Sequence, residues 1–284
     1  MPQVTASNFS YTFVTDDRNI RFSHGTSVHP KREHFALHTH NDNELFIFIK
    51  GDMHFVVEGV VYPLKPYDAL LLRAGEMHDI YPVGNSTYER VVFNIEDSFF
   101  DTFHCTPYKE MFTERPLAQN NLIPGELISL SDIPTLLTRI EKYHKDGGRA
   151  CDTVISCALV EVLHALHHMQ PLEKVEEKQN STVFRLIDYI NKNLDTDLNL
   201  EALSEKFFVS KYHLCRIFRA HTGYTINHYI TQKRLHMVLD LCRSGETITS
   251  ACVTAGFSGY SAFYKAYIKA HGVPPKSGLF ADIK

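Results

Sequence analysis

The chain has 284 residues, 44% of them hydrophobic, which is enough for two cored domains and excludes a chain disordered by composition. Its net charge of −4 hides an asymmetry: residues 1–182 carry 16 Lys/Arg against 25 Asp/Glu, and residues 183–284 carry 13 against 8. An acidic half joined to a basic half excludes a uniformly anionic protein and leaves only the C-terminal part suited to phosphates. The six cysteines show no CxxC pair and no framework spacing, so free thiols in a reducing cytoplasm are expected. No charged start precedes an apolar core, and no run approaches the roughly 18 apolar residues of a membrane span. A cytoplasmic protein without a membrane partner is therefore expected.

Residues 1–95 are rich in strand signals. Phe9, Tyr11 and Phe13 alternate, and Phe46–Ile49, Val60–Leu64, Ala69–Leu72 and Arg90–Ile95 form apolar runs bounded by Gly, Pro, Asn and Asp. Short strands so punctuated predict an antiparallel barrel, closed or nearly so. Within this region His38, His40 and Glu44 are followed by Gly51, and Gly75 by His78. On a strand, His38 and His40 project to one side, where Glu44 and His78 can converge with them. Three imidazoles and a carboxylate suit a divalent first-row metal or a purely structural role.

Pro107–Pro124 reads as loop, with Asn120–Asn121 and Pro124–Gly125 as turn signals. A helix is expected over Ser131–Lys145, with Leu136, Leu137 and Ile140 on one side. Gly147–Gly148 breaks it, and a longer helix over Arg149–Met169 buries Val154, Ile155, Ala158, Leu159, Val162, Leu163 and Leu166. Gln170–Thr182 is dense in charge and is expected to be a solvated linker. Val183–Leu194 is then a helix with Phe184, Ile187, Ile190 and Asn191 inside.

Asn199–Pro275 reads as two helix-turn-helix units in tandem. Leu200–Phe207 is a scaffold helix, Phe208 and Val209 make a turn, and Ser210 caps a second helix closed by Gly223. Leu214, Ile217 and Phe218 point inward, leaving Tyr212, Cys215, Arg216 and Arg219 outside. Ile226–Leu241 is an apolar-periodic connection. The second unit buries Ile248, Ala251, Cys252 and Ala255, turns at Gly256, plugs its core with Phe257 and is capped by Ser258. Its final helix runs to His271, with Phe263, Ala266 and Tyr267 inside and Ser261, Tyr264, Lys265, Ile268 and Lys269 outside. A helix of this width fits the major groove, where its outer side chains can read base edges.

The run SKYHLCRIFRAHTG, then Arg234–Leu235, then AGFSGYSAFYKAY and HGVPP resembles the DNA-binding domain of the AraC family over roughly a hundred residues. Val238, Ile268 and Ser277–Gly278–Leu279 depart from its usual Ala, basic residue and Tyr-Arg ending. The spacing H-x-H-x3-E-x6-G with G-x2-H resembles the two cupin motifs, with Arg73 and Pro82 in place of the usual Pro and Asn. The two resemblances together imply an α+β chain. A cupin-like effector-binding domain of residues 1–169, helices included, is followed by a linker at 170–182 and an all-α double helix-turn-helix domain at 183–284. They further imply a bacterial transcription regulator, not an enzyme, that binds double-stranded promoter DNA through Tyr212, Cys215, Arg216, Arg219, Ser261, Tyr264, Lys265 and Lys269. Its effector, a sugar or related metabolite by resemblance, would be held by His38, His40, Glu44 and His78, with a homodimer and RNA polymerase as partners. The rival reading is a metal-dependent cupin enzyme, a dioxygenase or isomerase, fused to a DNA-binding domain, with metal on those same four residues. A nucleoid-type DNA binder without an effector is the third.

Overall fold

The computed structural model describes residues 9–35, 37–148, 150–169 and 182–275, in two compact units: an N-terminal one that runs to residue 175, and a C-terminal one from residue 176 on with which residues 38–41 and 58–60 are grouped. In the N-terminal unit the strands are β1 (Phe9–Val14), β2 (Ile20–Ser27), β3 (Asn43–Lys50), β4 (Met53–Val57), β5 (Val60–Pro63), β6 (Ala69–Leu72), β7 (His78–Pro82), β8 (Tyr88–Ile95) and β9 (Leu122–Ile123). The same unit contains helices α1 (Asp97–Thr102), α2 (Thr106–Thr113), α3 (Gly125–Ser129), α4 (Ile133–Asp146) and α5 (Cys151–His167).

All the pairings described are antiparallel, as expected. The strands are distributed over two sheets, one in the order β1-β2-β8-β3-β6-β9 and a smaller one in the order β5-β4-β7. Phe22 lies opposite Phe93 and Leu45 opposite both Phe93 and Leu71, so alternate residues of neighbouring strands build one apolar face. Helices α4 and α5 cover that face. Leu136, Leu137 and Ile140 of α4 and Ile155, Leu159, Val162, Leu163 and Leu166 of α5 belong to the same core as Phe22, Leu45 and Phe93. The apolar stripe of α5 differs from expectation at its start, where Ser156 is buried and Val154 is exposed.

Three further expectations are corrected. Residues 107–124 are not all loop: α2 occupies Thr106–Thr113, opened by a proline in its first turn, where the missing amide costs nothing. Leu122–Ile123 adds an edge strand to β6. His38 and His40 are not on a regular strand: His38 makes an isolated β-bridge, and His40 lies in the irregular segment before β3.

The C-terminal unit consists of α6 (Thr182–Lys192), α7 (Leu200–Phe207), α8 (Lys211–Thr222), α9 (Ile226–Arg243), α10 (Ile248–Thr254) and α11 (Tyr260–His271). The linker expected at 170–182 lies outside the described residues except for Thr182, which opens α6. That helix buries Val183, Leu186, Ile187 and Ile190; Phe184, expected inside, is half-buried. Each short helix is set by a local signal. Asn199, Ser210, Thr225 and Thr247 each accept a hydrogen bond from the amide three residues on, at 2.8, 3.3, 3.2 and 3.3 Å. Gly223 and Gly272 end α8 and α11 in the left-handed conformation. Helix α9 packs against both α8 and α11 and so joins the two helix pairs.

Candidate functional site

Two groups of side chains carry chemistry. In the C-terminal unit the second helix of each pair, α8 and α11, has a buried side and an outer side. Leu214 and Phe218 of α8 and Phe263 and Tyr267 of α11 are buried. On the outer side of α8, Tyr212 is 81% exposed, Arg216 and Arg219 are exposed, and Cys215 is half-buried as a free thiol. On α11, Ser261, Lys265 and Lys269 are exposed and Tyr264 is half-buried against Tyr260, with ring centroids 5.9 Å apart.

Among the described residues, Arg216, Arg219, Lys265 and Lys269 have no carboxylate within ion-pair distance. By contrast, Lys211 at the start of α8 is paired with Glu201 of α7. Arg216 makes one side-chain contact, Nη2 to Nδ1 of His213 at 3.1 Å. That contact leaves the other guanidinium donors without a protein partner among the described residues. Sequence reasoning missed His213, although its i, i+3 spacing from Arg216 was visible. The charge of Lys269 also reaches α9: burial, and then Lys269, push the His228 imidazole below its ordinary value.

The second helix pair departs in detail from expectation. The N-cap of α11 is Gly259, not Ser258, and no side chain caps it. The bend before it depends on Gly256, whose φ is +82° and where an added Cβ would come within 2.2 Å of the Leu194 carbonyl oxygen. Arg234 lies at the same point, donating from Nε to Leu194 O at 2.9 Å and from Nη2 to Thr196 O at 2.7 Å. The Arg234 side chain therefore fixes the 194–196 loop to α9.

His38, His40 and His78 each offer a ring nitrogen, and the three atoms lie within 4.8 Å of one another. His78 is buried on β7, His40 is half-buried and His38 exposed. Glu44, buried on β3, places Oε2 3.9 Å from His78 Nε2 and accepts a hydrogen bond from Asn94 Nδ2 at 3.2 Å. His78 Nδ1 lies 2.8 Å from the Glu76 carbonyl oxygen. A carbonyl can only accept, so Nδ1 carries the proton and Nε2 is the nitrogen directed toward Glu44. Phe55 stacks on the His78 ring at 5.9 Å and further fixes its plane. The donor set thus combines a sealed, oriented imidazole and carboxylate with two more accessible imidazoles, an arrangement that can hold a polar ligand or a cation.

Residues 203–277 match the helix-turn-helix domain family, and residues 23–130 match the AraC-like ligand binding domain family. The multiple antibiotic resistance protein MarA of Escherichia coli is 30% identical over 95 residues, covering 33% of this chain and 75% of MarA. An HTH-type transcriptional regulator of Staphylococcus aureus is 22% identical over 224 residues, 77% of this chain and 29% of that protein. The solved structure of ToxT from Vibrio cholerae aligns over 92% of this chain and 98% of its own, with 12% identity and a TM-score of 0.40.

Proposed function

Because the chain belongs to the AraC family of transcription regulators, a DNA-binding helix-turn-helix region with a ligand-binding domain, we propose that both helix pairs read one promoter site and that the His38–His78 group holds the effector. The observation that carries this reading is the set of exposed, carboxylate-free cations on the second helix of each pair. Two such helices held by α9 can enter successive major-groove segments about 34 Å apart, adding contacts without a second ordering cost. Arg216 has the planar fork that suits guanine, and Tyr212 and Lys265 are the next base readers. Cys215, Ser261 and Tyr264 line the same surfaces. Arg219 and Lys269 meet phosphate, which adds affinity and register but no sequence information.

His38, His40, Glu44 and His78 grip the hydroxyls of a small molecule, with a carbohydrate as the leading class. The regulator acts in the cytoplasm as a homodimer, contacts RNA polymerase and catalyses no reaction. An effector changes output only through unequal affinity for two states of the protein. The test is a thermal-shift screen of sugars and organic acids followed by footprinting with the hits. A ligand that binds the folded form raises the melting temperature. If no sugar shifts it, the carbohydrate assignment is overturned.

The mutual approach of three ring nitrogens favours a second reading, in which a divalent ion sits on His38, His40 and His78 with Glu44 beside it. Elemental analysis of purified protein separates the two: one equivalent of a first-row metal supports the ion, and its absence removes the enzyme reading as well.

A further inference from the structure

Among the described residues, Phe208 combines an unusual backbone conformation with an almost fully exposed aromatic side chain. It ends α7 at φ +54° and ψ +40°, a left-handed conformation that glycine adopts without steric cost and an aromatic residue does not. Its side chain is 96% exposed, the highest value among the exposed large hydrophobic residues, and it belongs to none of the ring pairs described. Phe207 beside it is different: it packs edge-on against Tyr189. Neither backbone conformation nor core packing therefore accounts for an aromatic side chain at 208.

Its position does. Phe208 stands two residues before Ser210, the N-cap of α8, and four before exposed Tyr212. The N-terminal end of the second helix in such a pair is the end that meets base edges. On those edges in the major groove one group is apolar, the C5 methyl of thymine. We propose that Phe208 is a specificity-determining residue of the first helix pair and that it packs on a thymine methyl at the edge of the site read by α8. This proposal rests on the reading of α8 as a DNA-recognition helix.

The test uses the full chain and a duplex that the wild-type chain itself selects from a random pool, made once with thymine and once with uracil in its place. Phe208→Gly suits the left-handed backbone, so its melting temperature is expected to equal or exceed that of the wild type. Its affinity for the thymine duplex is expected to fall about fivefold, the scale of a partly buried phenyl ring. The wild type is expected to lose a similar factor on the uracil duplex, and the variant to bind both duplexes equally. The slope of affinity against salt should not change, because no phosphate contact is lost. Equal affinities of variant and wild type for the thymine duplex overturn the proposal, as does equal sensitivity to uracil. A fall in melting temperature that accompanies weaker binding assigns Phe208 to the fold and also overturns it. Arg216→Ala in the same assay keeps the two levels apart. If it weakens binding while Phe208→Gly does not, only Phe208 loses its role; if neither does, the reading of α8 fails with it.

Discussion

Arg115 and Glu76 are joined by two hydrogen bonds, Nη1 to Oε1 at 2.9 Å and Nη2 to Oε2 at 2.5 Å, with their side chains 4% and 0% exposed. The same carboxylate accepts from the amides of Arg73 and Ala118, each at 3.1 Å, and from Asn121 Nδ2 at 3.2 Å. It thereby ties the 115–121 loop to the turn between β6 and β7. That turn delivers His78, whose Nδ1 donates to the backbone of Glu76 itself. The pair thus sets the position of one wall of the ligand group without belonging to it.

A bidentate pair this deep makes stability depend on acid. Burial by itself would raise the Glu76 carboxyl, but the hydrogen bonds and charge of Arg115, with help from Arg73 and the Ala118 amide, outweigh it and hold the group below its ordinary value of 4.5. A lowered folded value means stabilisation that is complete above 4.5 and lost as pH falls through the folded value. Glu76→Gln leaves Arg115 buried and uncompensated, so a loss of about 3–5 kcal/mol is expected at pH 7. Urea unfolding at pH 7 and at about pH 4 checks both points, since the gap between the wild type and the variant should narrow in acid. A gap that widens in acid would show that the carboxylate is not held ionised.

Gly256 makes a second prediction, about the linkage within the C-terminal unit. Gly256→Ala asks a side chain to adopt φ +82° and to stand 2.2 Å from the Leu194 carbonyl, whose place is held by Arg234. The backbone conformation alone costs about 1–3 kcal/mol, and the contact adds to it. Thermal melting should show a fall of several degrees. DNA affinity measured well below the melting point should be kept wherever the unit remains folded. A variant as stable as the wild type would mean that the 194–196 loop yields freely.

The two cation roles separate by salt. Arg216→Ala is expected to cost about 1–3 kcal/mol in specific binding and to relax preference at one base position. Arg219→Ala is expected to weaken binding to all sequences alike and to reduce the salt slope by about one. Binding titrations at several salt concentrations on specific and scrambled duplexes distinguish them. An unchanged footprint for Arg216→Ala removes that residue from base readout.

How much of this was legible beforehand depended on how local each signal was. Helix α7 begins and ends where the sequence placed it, because Asn199 sits beside the apolar run and its side chain reaches a nearby amide. The same holds for Ser210 and Gly223 around α8. The expectation fails where two adjacent residues compete for one cap: Gly259 took the position given to Ser258. Strands β2, β4 and β7 are not among the expected ones; in β2 and β7, His24-Gly25 and Asp79 with Pro82 have weak strand preference. Pairing with β8 and β4 holds them instead. The spacing of His38 and His40 suits a strand, but Asn41-Asp42-Asn43 behind them is turn chemistry. The three imidazoles nevertheless come together. The Arg115–Glu76 pair spans 39 positions and leaves no trace in any sequence window.

His38 and His40 offer the sharpest separation of sensing from DNA binding. Both are more accessible than His78, and neither lies on a regular strand, so replacing them removes polar groups without opening a core. The double variant His38→Ala/His40→Ala is expected to keep the wild-type melting temperature to within about 2 °C, as surface substitutions commonly do. It should bind the selected duplex with unchanged affinity when no small molecule is added. Its response should differ: a ligand that shifts the melting temperature of the wild type, or a divalent ion that co-purifies with it, should no longer do so. Calorimetry with that ligand and elemental analysis of the variant read the two possibilities separately. A double variant that binds the ligand as tightly as the wild type would place the sensing group elsewhere.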